Sequence, residues 1–196
     1  TKSDTEVLLH GYEQWGVDLL QRVRGMFTFV IWDKNKQELF GARDHFGIKP
    51  FYYAKMNGTF MYASEIKSLL RHPDFVKELN AEALKPYMTF QYPAIGETFF
   101  KGVYKLPEGH YFTYRDGKMD IHRYYDEDFR EGKQKLGELV NSIDQTVCDS
   151  VKAHQIADVE VGSFLSSGVD SSYVAAVARP QHTYSIGFGK GTYNES

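Results

Sequence analysis

The sequence predicts an α+β unit followed by the start of an α/β unit built on a parallel sheet. Short strand-like runs joined by the tight-turn pairs Asn57-Gly58 and Asp116-Gly117 fill the first 125 residues. A charged stretch almost without apolar residues, D-E-D-F-R-E-G-K-Q at 126–134, then interrupts the chain. Beyond it, Val159–Leu165, Ser171–Ala178 and His182–Phe188 read as strand, helix and strand with short connections. That order is a βαβ unit, which requires parallel strands and a right-handed crossover. The expected organisation is therefore a first domain over 1–125, a linker over 126–134 and a second domain over 135–196. A lone βαβ unit is too small to close a core, so the second domain reads as truncated.

Each element has a local reason. Ser3 and Glu6 stand at capping-box spacing, and Val7, Leu8, Tyr12 and Trp15 follow at helical intervals. Met26–Trp32, Glu38–Ala42, Pro50–Ala54 and Thr59–Ala63 are rich in β-branched and aromatic residues and read as strands. Ser64–Leu70 reads as a short helix, and Asn80 as the N-cap of a helix over Ala81–Tyr87. Thr98–Tyr125 is aromatic and β-rich. Leu136, Leu139, Val140, Ile143, Val147 and Val151 mark one face of a helix. Val159–Leu165 reads as a strand of the buried type.

Bulk properties narrow the function. The net charge is -3, so there is no basic excess with which to neutralise nucleic-acid phosphates. The single cysteine, Cys148, excludes an intramolecular disulfide and fits a reducing compartment. No apolar run approaches the roughly 18 residues of a membrane span, and T-K-S-D-T-E is not a signal peptide. The expectation is a soluble cytoplasmic protein that binds neither nucleic acid nor membrane. The seven histidines show no metal-ligand spacing. Cys148 lies beside the apolar face of its helix and reads as a packed small hydrophobe. The 14 tyrosines and 14 phenylalanines fit cross-strand pairing better than base stacking.

The most chemical segment is L-S-S-G-V-D-S-S, Leu165–Ser172, at the junction of strand and helix. In open α/β sheets, ligands bind beyond the carboxyl ends of strands. A helix N-terminus there offers free N–H groups and the positive end of a dipole. Gly168 lets a backbone approach a ligand, and Ser166, Ser171 and Ser172 add hydroxyl donors. Such a set suits phosphate. Asp170 would repel phosphate directly, so its use there is to hold Mg²⁺ against it. The Walker pattern is absent, and the loop has no lysine. The same residues also suit an ordinary capped turn with Ser or Asp as N-cap, and composition does not separate the two.

A resemblance covers nearly the whole chain. L-S-S-G-V-D-S-S resembles the S-G-G-x-D-S pyrophosphate loop of the N-type ATP pyrophosphatases, with Ser167 where that family usually has its first glycine. T-Y-S-I-G-F, Thr183–Phe188, is similar to that family's next strand. S-D-T-E at Ser3–Glu6, G-M-F-T-F-V-I-W-D at Gly25–Asp33 and A-R-D-H-F-G-I-K-P-F-Y-Y at Ala42–Tyr53 resemble class II glutamine amidotransferases. So do Y-A-S-E-I-K-S-L at Tyr62–Leu69 and L-P-E-G-H-Y at Leu106–Tyr111. In this order the motifs resemble the glutamine-hydrolysing asparagine synthetase family.

The resemblance implies an Ntn-hydrolase-type glutaminase sandwich, incomplete, followed by a truncated ATP pyrophosphatase domain. It implies that glutamine gives ammonia, that ATP converts aspartate to β-aspartyl-AMP, and that ammonia displaces AMP to give asparagine. ATP and Mg²⁺ are the implied cofactors. Glutamine, aspartate and ATP are the implied small-molecule partners, with a homodimer possible. Ser166, Ser167, Gly168, Asp170, Ser171 and Ser172 would surround the pyrophosphate, with Asp170 carrying the metal. Leu165 and Ile186 would touch adenine, although their residue types alone favour core packing. Asp4 would bind the amino group of glutamine, and it also suits the first turn of a helix.

The family's nucleophile is a cysteine at the mature N-terminus, and no residue of this sequence is assigned to it. Thr1 is not read as a substitute, and the chain reads as an internal fragment, inactive by itself. Arg43 and Asp44 look catalytic on paper but read as scaffold, an Arg–Asp pair with a Gly47 turn fixing neighbouring strands. Two alternatives stay open: a related ligase or amide cyclase for another carboxylic acid, and a catalytically silent interaction fragment. The residues that would select the acid are expected beyond Ser196.

Overall fold

The computed structural model describes residues 3–92 and 94–187. Thr1 and Phe188 lie outside the described residues. The chain divides into two compact units, Thr1–Asp128 and Phe129–Ser196.

In the first unit, helix α1 (Asp4–Trp15) runs into a 3-10 turn at Gly16–Gln21. Ser3 caps α1 by accepting the Thr5 amide at 3.3 Å. The strands are β1 (Thr28–Asp33), β2 (Glu38–Arg43), β3 (Tyr52–Met56), β4 (Thr59–Ala63), β5 (Val103–Lys105), β6 (His110–Arg115) and β7 (Lys118–Arg123). Helix α2 (Ile66–Leu69) follows β4, and α3 (Leu84–Phe90) precedes β5. The strands form two antiparallel sheets, in the orders β1-β2-β6-β7 and β4-β3-β5.

Period-two alternation builds a four-layer sandwich from these sheets. On the larger sheet, Phe29, Ile31, Phe40, Ala42 and Tyr111 face α1 and the 3-10 turn, where Tyr12, Leu19 and Leu20 meet them. The intervening residues Val30, Leu39, Phe112 and Tyr114 face the smaller sheet and pack with Phe51, Tyr53 and Phe60. On the smaller sheet's other face, Ala54, Met56, Met61 and Val103 pack with Leu69 and Ile66 of α2. The layers are helix, sheet, sheet and helix, the sandwich expected from the amidotransferase motifs. Gly41 is needed where the sheets meet, because a Cβ there would lie 2.3 Å from the Phe112 ring.

The tight turns are where the dipeptides place them. Asn57 and Gly58 (φ 50° and 82°) join β3 to β4, and Asp116 and Gly117 (φ 50° and 75°) join β6 to β7. Positive φ at both central residues matches the right-handed twist of a hairpin. Asn80 differs from expectation. Residues Ala81–Ala83 form a 3-10 turn before α3, and the Asn80 side chain does not cap it. Its amide donates instead to Glu97 Oε2 and to the Thr98 carbonyl, each at 3.1 Å. Being buried, it serves a neighbouring segment whose carbonyl needs a donor.

Arg43 and Asp44 act through the main chain. Arg43, 2% exposed, donates to the carbonyls of Lys49 (2.7 Å), Leu106 (2.6 Å) and Gly47 (2.5 Å). Asp44 accepts the amides of Phe46, Ile48 and Lys49. Between them they saturate the loop that follows β2, a scaffold role reached by backbone bonds. Burial pulls the Arg43 pKa below its ordinary value, opposed by the nearby Asp44 and Glu108 charges. The Tyr124 hydroxyl donates to the Arg43 carbonyl at 2.8 Å.

In the second unit, helix α4 (Leu136–His154) precedes β8 (Ser163–Phe164), α5 (Val169–Ala178) and β9 (Thr183–Tyr184). β8 and β9 pair in parallel, Ser163 with Thr183 and Phe164 with Tyr184. The expected buried strand Val159–Leu165 is thus shortened to two residues and is not buried. Ser163 lines a groove with Val147 and Val151 of α4 and Val174 of α5. Phe164, one residue on, is 78% exposed. Among the described residues β8 has one partner strand and no covering element on that second face. The expected strand His182–Phe188 is likewise confined to Thr183–Tyr184, and its end at Phe188 lies outside the described residues. Cys148 is half-buried on α4. No helix among the described residues is long and apolar enough to cross a membrane.

Candidate functional site

The junction of β8 and α5 brings the serine-rich loop together. Ser163 N donates to the His182 carbonyl at 3.1 Å, and Leu165 N to the Tyr184 carbonyl at 2.9 Å. These rungs hold β8 and β9 side by side as both strands end. The chain leaves β8 through Leu165–Ser167 and enters α5 at Val169, with Gly168 as the N-cap. Gly168 has no side chain with which to cap α5. The alternative of a turn capped by Ser or Asp is therefore not what forms. The first-turn amides of a helix lacking a side-chain cap are available to a ligand.

Ser171 folds the loop back onto itself. Its Oγ accepts the Ser166 amide at 3.3 Å, donates to the Gly168 carbonyl at 3.1 Å and lies 3.2 Å from Ser166 Oγ. Ser172 N closes the first helical turn on the Gly168 carbonyl at 3.0 Å. The loop's left-handed residue is Ser167, with φ 56°. That is the position where the resembling family usually has glycine, and the backbone angle explains why. A non-glycine residue pays a steric cost there. Gly168 has an ordinary φ of -71°, so its contribution is space and not conformational freedom. A Cβ on it would lie 3.5 Å from Ser166 Oγ and 3.8 Å from Ser171 Oγ, inside the mouth of the loop.

Leu165 and Ile186 stand at the ends of adjacent strands. Leu165 is half-buried, whereas Ile186 is 70% exposed and is not packed in a core. Between them, Ser185 Oγ donates to the Leu165 carbonyl at 2.5 Å. Sequence reasoning missed this bond; its signal was a lone serine inside the apolar run T-Y-S-I-G-F. It also missed the brace beneath the loop. The Tyr173 hydroxyl of α5 donates to Asp144 of α4, and this bond pushes the Tyr173 pKa up to about 12. Gln155 Nε2 donates to the Ala178 carbonyl at 2.7 Å, tying the end of α4 to the end of α5.

Asp170 lies exposed in the first turn of α5. Among the described residues no group of three or more His, Cys, Asp or Glu side chains could hold a metal. One exposed carboxylate fits Mg²⁺ only as an ion carried largely by phosphate oxygens and water. In the first unit, Asp4 occupies the first turn of α1, exposed, with Oδ1 accepting the Thr5 amide at 2.7 Å. Its other carboxylate oxygen makes none of these contacts.

The sandwich and the strand–loop–helix define the class. The family model of the glutamine amidotransferase domain matches residues 1–125, and the chain belongs to that family. The asparagine synthase model matches residues 142–196. The chain is 41% identical over 200 residues to asparagine synthetase [glutamine-hydrolyzing] 1 of Bacillus subtilis, covering 100% of this chain and 32% of the relative. It is 34% identical to asparagine synthetase [glutamine-hydrolyzing] 3 of the same organism, covering 95% and 32%. A putative asparagine synthetase 2 of Methanocaldococcus jannaschii is 34% identical, covering 100% and 40%. The chain thus spans about a third of the length of the curated relatives it matches. Among solved structures, a glutamine phosphoribosylpyrophosphate amidotransferase from B. subtilis aligns at 19% identity and TM-score 0.42, over 98% of this chain and 41% of that one.

Proposed function

We propose that the protein carrying this chain makes asparagine from aspartate, using ATP and ammonia released from glutamine. The observation that carries this reading is the order of the two family matches, amidotransferase at 1–125 and asparagine synthase at 142–196. An ammonia source followed by an ATP-dependent synthase makes an amide from a carboxylic acid. The names of the relatives supply aspartate as that acid.

The chemistry follows from the leaving group. A carboxylate has none, so it must first be activated. Attack by the aspartate side-chain carboxylate on the α-phosphorus of ATP forms the C–O–P bond of β-aspartyl-AMP and releases pyrophosphate. Ammonia then adds to the acyl carbon, loses a proton, and expels AMP. Ser166, Ser167, Gly168, Ser171 and Ser172 form the cradle for the pyrophosphate, and the first-turn amides of α5 meet its charge. Asp170 would hold Mg²⁺, which would supply positive charge beside the phosphates. Leu165 and Ile186 flank the adenine. In the first domain, the oxygen of Asp4 not bound to Thr5 receives the amino group of glutamine. The same placement suits the dipole of α1, so both roles hold together.

The test is an assay of the full-length protein with amide-¹⁵N glutamine, aspartate, ATP and Mg²⁺. The reading predicts ¹⁵N in the asparagine amide, with AMP and pyrophosphate formed in equal amount. Formation of ADP and phosphate, or no amide from aspartate, would overturn it.

A further inference from the structure

Where β8 and β9 end, a side chain takes the place of a backbone rung. In a parallel ladder a residue bonds to the two neighbours of its opposite number. Leu165 lies opposite Ser185 in the register that pairs Ser163 with Thr183 and Phe164 with Tyr184. Its amide follows the rule and donates to the Tyr184 carbonyl at 2.9 Å. Its carbonyl should then receive the Ile186 amide. It receives the Ser185 hydroxyl instead, at 2.5 Å. The ladder therefore stops one residue early on the β9 side, and Ile186 leaves the sheet with its side chain 70% exposed.

We propose that Ser185 is a positioning residue for the nucleotide, holding the ends of β8 and β9 so that Leu165 and Ile186 stand apart as the two walls of the base site. This inference rests on the nucleotide-binding reading of the loop given above. The hydroxyl satisfies a carbonyl that would otherwise draw in the Ile186 amide. Without it, the Ile186 amide can close the missing rung, which carries the Ile186 side chain toward the sheet and narrows the space between the walls. The pyrophosphate cradle lies on the other side of Leu165, in Ser166–Ser172, and the bonds by which Ser171 shapes it run to Ser166 and Gly168, not to Ser185. The effect is therefore confined to the base end of the nucleotide.

That separation sets the experiment. The full-length protein, its S185A variant and its S185T variant are titrated with Mg-ATP and, separately, with Mg-pyrophosphate, by calorimetry. Loss of a positioning hydrogen bond predicts about a tenfold weaker ATP affinity for S185A, on the order of one hydrogen bond. Pyrophosphate affinity should change by less than about twofold, and S185T, which keeps the hydroxyl, should bind ATP within about threefold of the parent. A merely structural role would weaken both ligands together, and that result would overturn the inference. So would an S185A variant that binds ATP as the parent does. If the parent itself binds neither ligand, the nucleotide-site reading fails, and the role of Ser185 falls with it.

Discussion

Ser171 Oγ sits 3.2 Å from Ser166 Oγ, accepts the Ser166 amide and donates to the Gly168 carbonyl, so one hydroxyl spans the loop from its first residue to its helix cap. Its single proton is committed to Gly168. In this arrangement the Ser171 hydroxyl is engaged within the loop and shapes it from inside.

Ser171→Ala should therefore cost more than one phosphate contact, because it releases both ends of the loop. The expected loss in pyrophosphate affinity is about tenfold or more, against a few-fold for Ser172→Ala. Titration of both variants in the full-length protein with pyrophosphate checks the order.

Asp170→Asn removes the carboxylate while keeping the size of the side chain. Binding of ATP in the presence of Mg²⁺ should fall by more than about tenfold, while metal-free ATP binding stays the same or improves. Titrations at matched ionic strength, with Mg²⁺ or with EDTA, separate the two.

Arg43→Ala would leave the carbonyls of Gly47, Lys49 and Leu106 without their donor. Only the bond to Leu106 is fully buried, and an unsatisfied buried carbonyl costs about 1–3 kcal/mol, so the loss should be about 1–3 kcal/mol. Gly41→Ala should cost about 1–3 kcal/mol by overpacking against Phe112. Urea midpoints of the two variants check both values, and equal stability of R43A and the parent would refute the loop account.

Alkaline pH should destabilise the first domain. Burial raises the pKa of Tyr12, Tyr53 and Tyr124 above the ordinary tyrosine value, and for Tyr124 the nearby Asp44 charge adds to it. In the unfolded chain these groups ionise near pH 10, while the folded state keeps them neutral. Their stabilising contribution is thus whole below about pH 10 and is lost as pH rises toward the folded values. Urea midpoints should fall as pH rises above about 10, and less steeply for Tyr124→Phe.

Much of the fold could be read from local chemistry. The pairs Asn57-Gly58 and Asp116-Gly117 placed two hairpins because few residues accept consecutive positive φ angles. Met26–Trp32 read as a strand from its β-branched and aromatic residues, but that Phe29 and Ile31 face α1 while Val30 faces the smaller sheet was not legible. Asn80 misled, since an asparagine before a helical segment has the same composition whether it caps that helix or serves Thr98 eighteen residues away. The loop of 166–172 was legible as a strand-to-helix junction. Its internal wiring through Ser171, and the rung supplied by Ser185, were not, because both depend on which atoms the folded backbone brings into range. The length of β8 was overestimated for a related reason: Val159, Val161, Phe164 and Leu165 signal a buried strand only where a second layer covers them, and Phe164 is 78% exposed.

The central claim is that aspartate is activated by adenylation, and oxygen transfer tests it most directly. The full-length protein is incubated with glutamine, Mg-ATP and aspartate labelled with ¹⁸O in its side-chain carboxylate, and the AMP is examined by mass spectrometry. Passage through β-aspartyl-AMP predicts one ¹⁸O atom in the AMP phosphate for each asparagine made. AMP without the label, or asparagine formed alongside ADP and phosphate, would contradict it.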